Sequence, residues 1–230
     1  MPRIARAIVV GVPHHLTQRG NHRQDVFFIQ EDRQFYLQWL AEYAHKYQVR
    51  IWAYCLMTNH IHLVLTPEQE CSLASTMRAL HSRYTQRQNF IHQWAGHLWQ
   101  GRYFSTALDE AYFWHAIRYV ERNPVRADLV ERAEDYSYSS AAGHCGLIHD
   151  PLLEPLPAET MIGPAGWSGW LAGEDGDELF ALRASTASGR PCGSVSFLAR
   201  LASMLGRPLH AKPRGRPRKS GSTIAEEGML

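Results

Sequence analysis

The segment YCLMTNHIHLVL, Tyr54–Leu65, decides the fold, because it joins two apolar stretches of strand length at a turn. β-Branched and aromatic residues fill VRIWAYCLM (49–57), and HIHLVL (60–65) follows the turn at TNH. This pattern predicts a β-hairpin. Its second strand carries two histidines, His60 and His62, at positions where a hydrophobic core would accept valine. The pair therefore indicates a functional face on an otherwise buried strand.

The elements on either side of the hairpin complete an α+β pattern. A first strand is predicted within Ala5–Gly20, and helices are predicted at Glu31–Tyr47, Ser72–Asn89 and Asp109–Arg122. The second helix opens with a serine cap. The third should stop near Asn123, because Pro124 disfavours helical geometry in the residue before it. Residues 92–108, which link the second and third helices, allow a further strand. This order of strands and helices predicts a ferredoxin-like (split βαβ) sandwich with an antiparallel sheet.

Composition narrows the class of protein. Hydrophobic residues make up 45% of the 230 residues and aromatic residues 11%, which is enough to bury a core. No apolar run reaches the length of about 18 residues that a membrane span needs, and the N-terminus lacks the layout of a signal peptide. The four cysteines are scattered, without metal or redox spacing. These features predict a cytoplasmic protein with reduced thiols and no membrane partner.

Charge divides the chain into three parts. Residues 1–130 carry 14 basic and 10 acidic side chains, residues 131–189 carry 2 and 10, and residues 190–230 carry 8 and 2. Basic segments at both ends predict a polyanionic partner, although ordinary surface charge is the alternative. We expect a main domain at 1–134, an acidic and irregular extension at 135–189, and a basic segment at 190–230. That last segment has an accessory helix, with an apolar stripe at Phe197, Leu198, Leu201 and Leu205, and a disordered tail.

The two histidines suit a metal ion. Side chains at i and i+2 share one face of a strand, roughly 6.6–6.8 Å apart, so two imidazoles can converge on one ion. A pair of surface or hydrogen-bonded histidines is the alternative. Tyr119 and Asn123 are four residues apart on the third helix and would share one face. A phenol and an amide facing a histidine-bound ion would form a phosphoryl-transfer site with Mg²⁺ or Mn²⁺. Alternatively, Tyr119 is a core aromatic and Asn123 a cap.

Three motifs resemble those of a known family. YCLMTNHIHLVLTP (54–67) resembles the HUH motif, and LWQGRY (98–103) and IRYVERNPVRADLV (117–130) resemble the other signatures of the single-tyrosine HUH transposases. The similarity is greatest to the REP-associated tyrosine transposases and runs from about Arg6 to Val130. It implies an HUH endonuclease-type fold over this part of the chain.

The resemblance also implies a chemistry. His60 and His62 match the family's metal ligands, and Tyr119 matches its nucleophile, which forms a 5′-phosphotyrosine and releases a 3′-OH. Asn123 stands where related enzymes have a glutamine ligand, whose side chain is longer. The implied function is a metal-dependent single-stranded DNA transesterase that cleaves and rejoins DNA at hairpin or palindromic repeat ends.

The sequence also predicts residues that contact DNA and leaves two other functions open. Basic side chains expected to contact DNA include His14, His15, Arg19, Arg78, Arg83 and Arg102. In the tail, RGRPRK (214–219) resembles an AT-hook, so Arg214 and Arg216 are expected in a minor groove; a merely basic end is the alternative. Another HUH nicking nuclease (replication initiator or relaxase type) and a catalytically silent DNA-binding regulator are the competing functions. The oligomeric state is left open between a monomer and a homodimer.

Overall fold

The computed structural model describes residues 6–157 and 162–209. Its centre is a four-stranded antiparallel sheet in the order β2-β3-β1-β4. The strands are β1 (His14–Arg19), β2 (Val49–Leu56), β3 (His60–Pro67) and β4 (Phe104–Ala107). The predicted hairpin of β2 and β3 and the antiparallel α+β fold are confirmed, and the link supplies the fourth strand.

Two long helices cover one face of the sheet. These are α1 (Gln30–Lys46) and α2 (Ser72–His92), whose apolar sides bury Leu16, Ile61 and Leu63. The predicted serine cap of α2 is wrong. Cys71 is the N-cap residue and makes no side-chain cap bond, whereas the Ser72 hydroxyl accepts from the Gln69 backbone N–H at 3.1 Å. The Ser72 hydroxyl closes the turn before the helix, because serine side chains also bond to nearby backbone groups outside helices.

The opposite face of the sheet is covered by helices that follow β4. They are α3 (Glu110–Glu121), α4 (Asn123–Arg126), α5 (Ala141–His144), α6 (Pro164–Ala172) and α7 (Glu178–Ser188). Trp167, Leu171 and Leu182 enter the same apolar cluster as Val64 and Ile117. The segment 135–189 is therefore more helical than expected. Its helices are short and separated by glycine and proline, so no long apolar period marks them in the sequence.

The helical conformation is interrupted between α3 and α4. The Asp109 carboxylate caps α3 by accepting from the Tyr112 backbone N–H at 3.0 Å, and the helix ends at Glu121. Pro124 has no N–H for the Val120 carbonyl, and the Asn123 side-chain amide donates to that carbonyl instead, at 3.3 Å. The expected stop is confirmed. Tyr119 and Asn123, however, lie on two successive helices rather than on one helical face.

A buried carboxylate ties α3 to the extension. Glu121 is fully buried and accepts hydrogen bonds from Ser140 Oγ at 2.5 Å, His144 Nδ1 at 2.6 Å and Trp167 Nε1 at 2.8 Å. The three donors come from residues next to or within α5 and α6. Three donors offset the desolvation of a carboxylate that no water reaches. The orientation of α3 therefore depends on the extension.

The last described helix is α8 (Val195–Met204). It buries Phe197 and Leu201 against Val9 and Ala107, so the predicted accessory helix is confirmed. The tail with Arg214 and Arg216 lies outside the described residues. All four cysteines are free. No helix within 6–157 or 162–209 is long and apolar enough to cross a membrane.

Candidate active site

One face of the central strands presents the polar side chains. In the β1–β3 register Thr17 lies opposite His62 and Arg19 opposite His60. Because side chains alternate along a strand, His15 joins these four on the same face, beneath α3 and α7. The predicted common face of His60 and His62 is confirmed, and their ring centroids are 5.0 Å apart.

A cavity of about 300 Å³ opens over this face. Strands β1 and β3 form its floor, and α3 and α7 contribute side chains to its wall. Its lining includes His15, Thr17, Arg19, His60, His62, Tyr119, Arg183 and Thr186. The cavity brings together the two histidines and the tyrosine that the sequence analysis singled out.

Local hydrogen bonds fix the orientation of His60. Its Nδ1 lies 2.6 Å from Asn59 Oδ1. The Asn59 amide nitrogen donates to the Arg23 carbonyl at 3.1 Å, so Asn59 Oδ1 is the acceptor and His60 Nδ1 the donor. A neutral His60 then has its lone pair on Nε2, the form in which an imidazole binds a metal.

His62 is held by side chains from two other elements. Its Nδ1 lies 2.9 Å from His15 Nε2, and the two ring planes are nearly parallel, at 5°. On the other side of the His15 ring, Nδ1 lies 2.9 Å from the hydroxyl oxygen of Thr186 in α7. His62 therefore belongs to a chain of hydrogen-bonded side chains that ends in the extension.

Burial keeps these imidazoles neutral. It lowers the pKa of His60 to about 4, with the charge of Arg19 as a second cause. The pKa of His15 falls to about 3, and that of His62 lies well below its usual value. Neutral imidazole is the ligating species, so the donor chemistry of His60 and His62 fits a divalent ion. Among the described residues no group of three or more His, Cys, Asp or Glu side chains could hold a metal, so the pair would supply two ligands.

Tyr119 is half-buried beside the histidines. Its ring meets His62 edge-on at 87°, with centroids 5.4 Å apart, and it meets His15 at 84° and 5.5 Å. On its other sides, the guanidinium carbons of Arg126 and Arg183 lie 4.4 and 5.6 Å from the ring centroid. Positive charge is thus placed against a phenol that faces two neutral imidazoles.

Three arginines near Tyr119 share one carboxylate of the extension. Arg118, Arg122 and Arg126 lie 3.3, 3.4 and 3.3 Å from Asp175. Glu174 and Glu178 line the same surface beside Arg118, so the three guanidinium groups lie among several acidic side chains.

The structure places the other predicted site residues in different regions. Arg19 lines the cavity, whereas His14 is fully buried on the opposite face, where its ring contacts the carbonyls of Ala7 and Val12. His14 is therefore not placed to touch DNA, because neighbouring strand residues point to opposite faces. Asn123 does not line the cavity, and its side-chain amide donates to the Val120 carbonyl where α3 ends. Its role as a ligand stays a prediction.

The remaining predicted DNA contacts are surface residues away from the cavity lining. Arg78 is exposed on α2, behind the sheet. Arg83 on the same helix pairs with Glu42 at 2.7 Å. Arg102 is exposed in the loop before β4.

The cavity residues that α7 contributes were not predicted from the sequence. Arg183 and Thr186 lie on α7, in a segment predicted to be irregular. The spacing of Leu182 and Thr186, four residues apart, is the signal that places both on the inner face of a helix. Nothing local in the sequence connects that face with β1.

Comparisons with known proteins find similar solved structures and a family. One solved structure, of the REP-associated tyrosine transposase bound to a REP hairpin, is similar at a TM-score of 0.55 and 17% identity, over 69% of this chain and 100% of that chain. A candidate transposase from Deinococcus radiodurans matches at a TM-score of 0.37 and 22% identity, over 53% of this chain and 97% of that one. No curated protein matches the chain. The family model for IS200-like transposases matches residues 9–123, half of the chain, and the protein belongs to that family.

Proposed function

We propose that this transposase is a single-stranded DNA transesterase that cleaves and rejoins DNA at hairpin or palindromic repeat ends through a 5′-phosphotyrosine. The proposal rests chiefly on one observation. The ring of Tyr119 lies edge-on to His62 within a cavity that also contains His60. A nucleophile beside two metal-binding imidazoles is the arrangement that phosphoryl transfer needs.

The proposed step is a transesterification, in which one phosphodiester is exchanged for another. The phenolic oxygen of Tyr119 forms a bond to the scissile phosphorus as the bond to the 3′ oxygen breaks. The phenolic proton is lost, and the 3′ oxygen leaves as a hydroxyl after taking up a proton. Because the phosphotyrosine keeps the energy of the broken bond, a 3′-hydroxyl can attack it and rejoin strands without an external energy source.

His60 and His62 would hold Mg²⁺ or Mn²⁺ together with water. The bound ion would polarise the phosphate and stabilise the leaving oxygen. Arg126 and Arg183 would stabilise negative charge as it develops on the phenolic oxygen and the phosphate. Arg19, which also lines the cavity, would bind the DNA backbone there.

A hairpin substrate is proposed because the structurally similar REP-associated protein is bound to a REP hairpin. Exposed Arg78, Arg83 and Arg102 are proposed as outer phosphate contacts. A silent DNA-binding regulator has no need for His60, His62 and Tyr119 in one cavity, which favours the catalytic function. The four free cysteines support a cytoplasmic location.

The proposal is tested with a labelled oligonucleotide that carries a hairpin and a single-stranded flank. Incubation with the protein and Mn²⁺ should give a shorter DNA strand with a free 3′-OH and a protein–DNA species that survives denaturation. A shortened strand without any covalent species would exclude the tyrosine mechanism. Intact DNA with every hairpin and flank tested would favour the silent regulator.

A further inference from the structure

The extension reaches the metal-binding histidine through two side chains. Thr186 in α7 contacts His15 in β1, and His15 contacts His62 in β3, each at 2.9 Å. We propose that Thr186 and His15 are positioning residues that fix the tautomer and ring orientation of His62, with Nδ1 protonated and Nε2 free. The hydrogen bonds determine the tautomer of His62. The use of that tautomer in metal binding rests on the proposed function.

The direction of the chain follows from the Thr186 hydroxyl. Its oxygen lies 2.8 Å from the Leu182 carbonyl and 2.9 Å from His15 Nδ1. A carbonyl oxygen can only accept, so the single hydroxyl hydrogen must point to Leu182. The other contact of the hydroxyl then requires a donor, and His15 Nδ1 carries a hydrogen.

The second contact follows from the first. A neutral His15 protonated at Nδ1 has a lone pair at Nε2, so His62 Nδ1 must donate to it. The alternative is a doubly protonated His15, which would donate at both nitrogens. That ring is 1% exposed, and neither Thr186 nor His62 provides a negative charge to offset the cost of charging it. The neutral chain therefore holds, and His62 Nε2 keeps its lone pair.

His60 reaches the same state by different means. Asn59, its neighbour in the sequence, accepts from His60 Nδ1, so this orientation depends on the β2–β3 turn and on the Arg23 carbonyl that holds Asn59. Only His62 depends on α7. The extension is thus part of the catalytic unit, and loss of the Thr186 contact would disturb one ligand and spare the other. Partners of this kind commonly change metal affinity by about 10–100-fold when removed.

The direct test is the tautomer of His62 in metal-free protein, measured by long-range ¹H–¹⁵N NMR on ¹⁵N-histidine-labelled samples. In the wild type His15 and His62 should both be protonated at Nδ1. Thr186→Val keeps the side-chain shape but removes the acceptor, so both rings should shift towards protonation at Nε2. Thr186→Ser should restore the wild-type pattern. Ser188→Ala, at the exposed end of α7, is the matched control and should change nothing.

The consequence for metal binding is measured as the affinity for Mn²⁺ alone. The free-ion signal in electron paramagnetic resonance gives this affinity. Thr186→Val should weaken binding by about 10–100-fold, and Thr186→Ser should restore it. His15→Phe gives a second route, since it removes the acceptor of His62 while the His60 tautomer stays unchanged. An unchanged His62 tautomer in both Thr186→Val and His15→Phe would overturn the proposal. Wild-type protein that binds no Mn²⁺ would instead count against the proposed function, and the tautomers would still decide the positioning role.

Discussion

The ring of Tyr119 stands edge-on to the ring of His62, with centroids 5.4 Å apart and planes at 87°. The two residues come from elements more than 50 positions apart in the chain, α3 and β3. Packing of α3 on the second face of the sheet creates the contact. This relationship joins the proposed nucleophile to the proposed metal site.

Replacing either metal-site histidine should separate catalysis from DNA binding. His60→Ala and His62→Ala each leave one imidazole, so Mn²⁺ binding and strand cleavage should both fall to background. Binding of a hairpin oligonucleotide should persist, because it rests on basic residues. His45→Ala, an exposed histidine on α1, is the control. Full cleavage by His62→Ala in the presence of a chelator would contradict the metal assignment.

Loss of the Glu121 carboxylate should strongly destabilise the fold. Glu121→Ala leaves the buried donors of His144 and Trp167 without an acceptor, and we expect the free energy of unfolding to fall by about 3–5 kcal/mol. Glu121→Gln keeps one acceptor oxygen and should cost less. Denaturant titration followed by circular dichroism measures both. Exposed Glu131→Gln should stay within about 0.5 kcal/mol of the wild type, and a similar value for Glu121→Ala would show that the buried network adds no stability.

Buried His14 should make the protein sensitive to acid. Burial lowers its pKa from 6.5 to about 4, although hydrogen bonds to the Ala7 and Val12 carbonyls oppose this. The unfolded chain therefore binds a proton below pH 6.5 that the folded chain takes up only near pH 4. The contribution of His14 to the free energy of unfolding is complete above pH 6.5. It is lost as the pH falls from 6.5 to about 4, by up to about 1.4 kcal/mol per pH unit.

Unfolding free energies of wild type and His14→Asn, measured between pH 7.5 and 4, test this account. The free energy of unfolding should depend less steeply on pH in the variant, and the difference in slope should correspond to about one proton. Identical pH slopes for the two proteins would mean that His14 does not contribute to the acid sensitivity.

The basic tail should contribute to affinity for DNA without a part in cleavage. Truncation after residue 209 removes Lys212, Arg214, Arg216, Arg218 and Lys219. The plot of log affinity against log salt should become shallower by about 0.7–0.9 for each phosphate that these side chains no longer neutralise. Cleavage at saturating protein should continue at the wild-type rate. An unchanged salt slope would leave Arg214 and Arg216 without the proposed groove contact.

The sequence predicted the parts of this molecule that local patterns encode. Alternation in His60–Leu65 revealed the face of the two histidines, and Pro124 marked the end of α3. It did not predict the parts that depend on contacts between distant segments. The Asp175 contacts with three arginines and the Thr186–His15–His62 chain join the extension to the core, and no short spacing encodes them. His14 shows the same limit, since one residue of strand register decides whether a histidine lines the cavity or is buried behind the sheet.

The identity of the covalently modified residue tests the central claim most directly. Tyr119→Phe removes only a hydroxyl, so the fold should persist while cleavage and the denaturant-resistant protein–DNA species disappear together. Tyr103 is the matched control. Its hydroxyl is buried without a hydrogen-bond partner in the described structure, and Arg6 lies over its ring at 3.7 Å. Tyr103→Phe should therefore keep both activities. Peptide mapping of the wild-type adduct should find the nucleotide on Tyr119; a nucleotide on Tyr103, or cleavage by Tyr119→Phe, would contradict the mechanism.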